Sequence, residues 1–176
     1  MLCKKALEET DGDLEKAIAQ LRKSSESMYD KKSSRTTGSG IVEAYVHGGG
    51  KVGVLLEIRC ETDFVARNKE FKELAHDIAL HIAGMSPAYV DKDQISEEAK
   101  AEAKRLFVIE AESLGKSKEM VEKIVLGKIE AHFSDISLMQ QSYVKDPAMS
   151  IGELIKKAVS RFGENIEIVR FVRYEV

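Results

Sequence analysis

A run of three glycines between two apolar segments constrains the fold of this chain more than any other feature. The glycines, residues 48–50, follow a segment at 41–47 and precede one at 52–60 in which apolar side chains recur at every second position. Glycine adopts positive φ at no steric cost, so this pattern is typical of a β-hairpin. The sequence therefore predicts two paired strands over residues 41–61. The second strand has one apolar face, formed by Val52, Val54, Leu56, Ile58 and Cys60.

Four segments with the spacing of amphipathic helices follow the hairpin. They cover residues 69–84, residues 96–114, a stretch that begins at Ser117, and a stretch that begins at Ser150. Asn68 is the predicted N-cap of the first helix and Gly84 its end. Ser150 and Glu153 have the spacing of a capping box, and Gly163 is expected to end the last helix. Gly127 interrupts the third helix, which indicates close packing or a bend there.

A third strand is predicted at the end of the chain, over residues 166–175. Its alternation slips near residues 168–169, which indicates a β-bulge. Two strands, several helices and a final strand predict an α+β fold. We expect a three-stranded antiparallel sheet core with helices packed on one face, behind a small helical N-terminal piece.

The N-terminal residues 1–23 predict two short helices joined by a turn. Asp13 is suited to cap the second helix, whose apolar stripe consists of Leu14, Ala17, Ile18 and Leu21. Two such helices bury little by themselves, so either a third helix or another surface must cover them. The segment that follows, up to residue 40, is rich in serine, threonine and glycine. The predicted organisation is a helical domain at 1–24, a linker at 25–40 and an α+β core at 41–176.

Composition excludes several classes of protein. The net charge is −3, and a nucleic-acid binder normally carries a basic excess, so no direct nucleic-acid partner is predicted. No apolar run approaches the ~20 residues of a membrane span, so no membrane association is predicted. Cys3 and Cys60 lie far apart in the sequence, and a reduced intracellular protein is the simplest interpretation.

No catalytic residue, metal site or cofactor is predicted. The segment from His47 to Gly50 resembles the oxyanion loop of lipases, but the Gly-x-Ser-x-Gly sequence that such enzymes need is absent. His76 and His81 are five residues apart, a spacing that does not place them on one face of a helix as a zinc pair requires. The residues alone therefore indicate a binding module with an unidentified partner.

Three collinear segments resemble the elongation factor Ts family. They are residues 3–24, the sequence Thr-Asp-Phe-Val-Ala-Arg-Asn at 62–68, and the stretch from Tyr143 to Val176. The resemblance implies a ubiquitin-associated-like helical N-terminal domain. Family members normally carry another helix before the Cys-Lys-Lys segment, so it also implies a short form that is incomplete at the N-terminus.

The resemblance further implies the function. Members are guanine-nucleotide exchange factors that bind the GTPase elongation factor Tu with GDP and promote GDP release by disturbing its Mg²⁺ and phosphate site. Such a factor assists translation elongation and carries out no covalent chemistry. The residues that match the exchange segment are Thr62, Asp63, Phe64 and Val65. Those that match secondary contact positions are His47, Phe162 and Gly163.

Alternatives remain open for these residues and for the chain. Phe64 could be an ordinary core phenylalanine, His47 an exposed turn residue, and Gly163 only a helix-terminating glycine. Long family members have two core halves where this chain has one, so a homodimer through the sheet surface is expected. The expected location is the bacterial cytoplasm, with an organelle matrix as the alternative. The competing functions are a scaffold with a helical adaptor and, least supported, a small enzyme.

Overall fold

The computed structural model describes residues 2–115 and 117–176, and within them it contains seven α-helices and five strands. The helices are α1 (Leu2–Glu9), α2 (Leu14–Lys32), α3 (Asp63–Ala66), α4 (Lys69–Met85), α5 (Glu97–Glu112), α6 (Lys118–Ile136) and α7 (Ile151–Phe162). The strands are β1 (Ser39–His47), β2 (Val52–Cys60), β3 (Ser142–Tyr143), β4 (Asp146–Ser150) and β5 (Ile166–Glu175). The predicted α+β class is confirmed. None of these helices combines the length and the apolar character that crossing a bilayer requires.

The three long strands form one antiparallel sheet in the order β1-β2-β5. The hairpin register pairs Ser39 with Cys60 at one end and His47 with Val52 at the other. The predicted bulge in the last strand is confirmed. Glu57 pairs with Arg170 and Ile58 with Ile168, so β5 contributes one extra residue at this point.

Helices α4 and α7 cover one face of this sheet. The alternate residues of β2 from Val54 to Cys60 are buried against them, as the alternation predicts. The helices contribute fully buried residues at helical spacing, which are Phe71, Ala75, Ile78, Ile82, Ile151 and Val159. The opposite face of the sheet remains open and exposes Val42, Val46, Leu55, Val172 and Tyr174.

The helix caps predicted from the sequence are present, with one correction. The Asn68 side chain accepts a hydrogen bond from the Glu70 N–H at 2.9 Å, and Ser150 and Glu153 form the reciprocal capping box. Gly163 ends α7 in the left-handed region, with φ of 72°. The prediction that α4 ends at Gly84 was wrong. The helix continues to Met85, and Ser86 adopts the left-handed conformation that ends it.

Helix α2 is longer than the sequence predicts. Residues 25–32 were expected to be irregular linker, but they extend α2 to Lys32. Serine lowers helix propensity only weakly, and tertiary packing overrides such a preference. The packing here is against α7 and the core: Tyr29 is partly buried on the core, and the Lys32 ammonium donates to the carbonyl of Gly163.

The N-terminal helices leave most of their apolar stripe exposed. Ala6 and Ala17 are buried where α1 meets α2, whereas Leu7, Leu14 and Ile18 are exposed. Within the described residues, the two helices therefore bury the small alanines fully and Leu21 only in part, and the rest of the predicted stripe is exposed.

Two further features differ from the sequence predictions. A small second sheet of β3 and β4 was not predicted, because its strands are short and carry no alternating pattern. Gly127 was expected to mark close packing or a bend, yet a Cβ atom built there would meet no atom within 4 Å. The prediction of close packing at Gly127 is therefore wrong.

Candidate functional site

The segment that joins the sheet to α4 carries a strongly exposed phenylalanine ring. It comprises the end of β2, Thr62 and the one-turn helix α3. Phe64 is 83% exposed, whereas Val65 and Ala66, the next two residues, are each only 4% exposed. Consecutive positions of a helix point in directions about 100° apart, so a single turn can anchor one side and present the other. Phe64 is therefore not a core residue of this chain.

Polar residues flank the exposed ring. Asp63 and Arg67 lie one helical turn apart, with 3.8 Å between a carboxylate oxygen and a guanidinium nitrogen, and both are largely exposed. Asn68 lies beside them and caps α4. An apolar ring between a carboxylate and a guanidinium offers a protein partner both an apolar anchor and orienting charges.

The start of the segment is fixed to the core by Cys60. This thiol is fully buried at the end of β2 and donates to the carbonyl of Thr62, with 3.3 Å between Sγ and the oxygen. Burial, together with the negative charge of Glu164, raises the pKa of Cys60 to about 11. The thiol therefore keeps its proton at neutral pH and acts as a hydrogen-bond donor.

Glu164 holds the same segment from the opposite end of the chain. One of its carboxylate oxygens accepts from the N–H groups of Glu61 and Thr62, at 3.1 and 3.0 Å. The other accepts from the Thr62 hydroxyl at 2.6 Å. In the sequence Glu164 directly follows the matched Gly163, but local spacing indicates no role for it, because the contact joins residues 102 positions apart.

The secondary positions are placed differently from one another. Gly163 directly precedes Glu164 and so lies beside the candidate segment, and it is exposed. Phe162 is half-buried, and its ring packs edge-on against Phe71 with 6.1 Å between the centroids. The Phe162 ring thus belongs largely to the core.

His47 lies at the other end of the hairpin from the candidate segment. It pairs with Val52, eight residues along β2 from Cys60, which corresponds to roughly 26 Å of strand. Its ring is exposed, stacks on Tyr45 and shares a hydrogen bond of 2.9 Å with the Tyr45 hydroxyl. Within one chain, the structure does not bring His47 to Phe64.

The histidines that were considered for zinc binding have other partners. His81 is buried, with one ring nitrogen 2.9 Å from the Gln141 side-chain oxygen and the other accepting from the Val144 N–H at 3.2 Å. His76 contacts Glu43 at 3.0 Å. Across residues 2–115 and 117–176, no three His, Cys, Asp or Glu side chains come together as a metal centre would need.

Comparison with known proteins gives a consistent family. The family model described as "Elongation factor TS" matches residues 3–176. The chain is similar to "Elongation factor Ts" of Heliobacterium modesticaldum, with 45% identity over all of this chain and 82% of that protein. It is 48% identical to "Elongation factor Ts" of Coprothermobacter proteolyticus, over 99% of this chain and 88% of that protein. The corresponding protein of Thermotoga petrophila is 46% identical over 99% of this chain and 86% of its own length. The chain therefore belongs to the elongation factor Ts family.

Proposed function

We propose that this chain is a guanine-nucleotide exchange factor that binds elongation factor Tu with GDP and promotes GDP release during translation elongation. Its family membership and the names of its bacterial relatives support this role. The corresponding location is the bacterial cytoplasm. In this role the chain acts only by binding its partner, and no covalent bond is made or broken.

The observation that carries the proposal is the exposure of Phe64. A phenylalanine that is 83% exposed on a well-anchored turn contributes little to the stability of the chain itself. Burying such a ring in a partner contributes about 1.5–3 kcal/mol. That free energy can offset the strain of displacing elements of the partner.

The proposed mechanism follows from how GTPases hold GDP. A phosphate-binding loop and Mg²⁺ neutralise the charge of the phosphates. An aromatic ring inserted between the helices beside that region shifts the elements that position Mg²⁺, and the affinity for GDP falls. Because coupling between two binding sites is reciprocal, GDP weakens the binding of the factor by the same ratio.

Within this proposal the predicted residues have different roles. Asp63 and Phe64 are exposed and make the contact, while Thr62 and Val65 hold the segment in place. Gly163 lies beside them, and its lack of a side chain permits close approach of the partner. His47 belongs to a separate contact at the far end of the hairpin.

We further propose that two copies associate through the open face of the sheet. This face exposes apolar residues on all three strands, namely Val42, Val46, Leu55, Val172 and Tyr174. Several exposed apolar residues on one face are typical of an interface. A second copy would supply the core half that long family members have within one chain.

Release of a fluorescent GDP from elongation factor Tu tests the proposed exchange activity. The wild-type chain is expected to accelerate release, and Phe64→Ala to reduce the acceleration by about ten-fold, equivalent to ~1.4 kcal/mol. Leu126→Ala is the control, since Leu126 is also strongly exposed (66%) but lies on α6. Equal acceleration by wild type and Phe64→Ala would remove Phe64 from the mechanism. No acceleration by wild type would favour a scaffold function.

A further inference from the structure

Two glutamates join the candidate segment to the turn between α7 and β5. The carboxylate of Glu164 accepts three hydrogen bonds, from the Glu61 N–H, the Thr62 N–H and the Thr62 hydroxyl. In the reverse direction, the carboxylate of Glu61 accepts from the Asn165 N–H at 2.7 Å. We call these four residues, Glu61, Thr62, Glu164 and Asn165, the carboxylate clamp.

The clamp is itself fixed to the end of α2. The buried side-chain amide of Asn165 donates to the carbonyls of Ser33 and Arg35, at 3.3 and 2.8 Å. The Arg35 guanidinium lies 3.6 Å from the Glu61 carboxylate. The start of α3, the end of α7 and the end of α2 thus meet at one group of hydrogen bonds.

Helix α3 needs such external support. Its four residues form a single turn, and one turn of helix is unfavourable by itself because several residues are fixed for one hydrogen bond. The side chain of its N-cap, Thr62, bonds to none of the α3 N–H groups. Val65 and Ala66 anchor the far end of the turn by burial, so the clamp is what holds the near end.

We propose that Glu164 is a positioning residue that keeps Phe64 in a fixed, outward orientation before the partner binds. This inference rests on the proposed exchange function. Hydrogen bonds to an ionised carboxylate are about twice as strong as neutral ones, and Glu164 is partly shielded from water. A pre-ordered ring does not lose conformational freedom on binding, so more of its burial energy is left to act on the partner.

A first experiment tests the clamp without the partner. The chain contains no tryptophan, so Phe64→Trp provides a single fluorescent reporter at the site. Glu164→Gln keeps the size of the side chain but removes its charge, so the hydrogen bonds from the two N–H groups become neutral and weaker. We expect faster local depolarisation of the reporter fluorescence and faster exchange of the Glu61 and Thr62 amide hydrogens. Glu167→Gln is the matched control, because the Glu167 carboxylate accepts from the Thr37 hydroxyl and, among the described residues, makes no hydrogen bond to a residue of the clamp.

A second experiment separates positioning from a general effect on folding. We expect Glu164→Gln to reduce the acceleration of GDP release by about ten-fold, the loss anticipated when a charged hydrogen-bond group is removed. In the Phe64→Ala background the same substitution is expected to have less than about a two-fold effect, because its action passes through the ring. Thr62→Ser, which keeps the hydroxyl, is expected to retain activity that Thr62→Val loses.

The outcomes are distinguishable. Equal effects of Glu164→Gln with and without Phe64 would overturn the positioning role, as would unchanged amide exchange at Glu61 and Thr62. If the wild-type chain does not accelerate GDP release at all, the proposed function fails, and the order of the tryptophan reporter and the two amides then decides whether Glu164 fixes this segment. Circular dichroism of each variant establishes that the fold is retained.

Discussion

Phe64 and Val65 are consecutive residues of α3, yet their exposed fractions are 83% and 4%. This contrast separates the proposed contact of the segment with its partner from its anchoring to the core. We expect Phe64→Ala to change the free energy of unfolding by no more than about 0.5 kcal/mol, as is usual for exposed positions. Val65→Ala removes buried methyl groups and is expected to cost about 1–3 kcal/mol. Urea unfolding of both variants measures these changes. Similar decreases in the free energy of unfolding for the two variants would contradict the anchoring role of Val65.

Replacing two helical glycines by alanine is expected to change the stability of the protein in opposite directions. A Cβ atom at Gly127 in α6 meets open space, so Gly127→Ala is expected to stabilise the protein by about 0.5–1 kcal/mol. A Cβ atom at Gly152 in α7 would lie 2.9 Å from the Met139 carbonyl oxygen. Gly152→Ala is therefore expected to destabilise by about 1 kcal/mol or more, because backbone must shift. Thermal unfolding of the two variants measures the change in stability of each. A stabilising effect of Gly152→Ala as well as Gly127→Ala would show that the turn around Met139 adapts.

The open face of the sheet gives a prediction for association. Leu55 lies on the central strand β2 and is 49% exposed on this face. If two copies associate there, Leu55→Glu buries a carboxylate without a partner and is expected to shift the protein to monomer. Sedimentation velocity over a range of concentrations measures the change, with Leu126→Glu on α6 as the control. A wild-type chain that is monomeric at every concentration would exclude this interface.

His81 gives a prediction for the dependence of stability on pH. Burial lowers the pKa of His81, and the ring in its neutral form accepts from the Val144 N–H. Asp77 lies one turn away on α4, where the Tyr143 hydroxyl and the Lys145 ammonium bond its carboxylate.

The sign of the His81 effect follows from where the proton binds. Above about pH 6.5, the value of an unperturbed histidine, both folded and unfolded chains carry a neutral ring, and this contribution is complete. As pH falls from there towards the lowered folded pKa, the unfolded chain gains the proton before the folded chain does, so stability decreases. Chemical unfolding at pH 7.5 and 5.5 is expected to show a smaller decrease for His81→Gln than for wild type. The other three histidines are common to both proteins. An equal decrease would show that His81 does not contribute.

Local patterns in the sequence were sufficient for much of the fold. Alternation from Val52 to Cys60 identified the buried strand face, and the slip near Ile168 identified the bulge. Ser150, Glu153 and Gly163 identified both ends of α7. These features depend on residues close together in the chain, where hydrogen bonding and side-chain period act directly.

Other features were decided by contacts between distant parts of the chain. Residues 24–32 have a weak preference for helix, and they are helical because α2 packs against α7. The small sheet of β3 and β4 likewise lacks a pattern of its own. The sequence marked the segment that contains Phe64 but left open whether the ring is buried.

What the sequence by itself determined about this protein is the order and type of its main elements and the family to which it belongs. Only the tertiary structure decided that Phe64 points outward and that Glu164 holds Thr62 across 102 positions. The physical reason is that burial and long-range hydrogen bonds depend on which surfaces meet after folding. Local spacing can specify a helix or a strand, but it does not specify which distant residues will pack against that element.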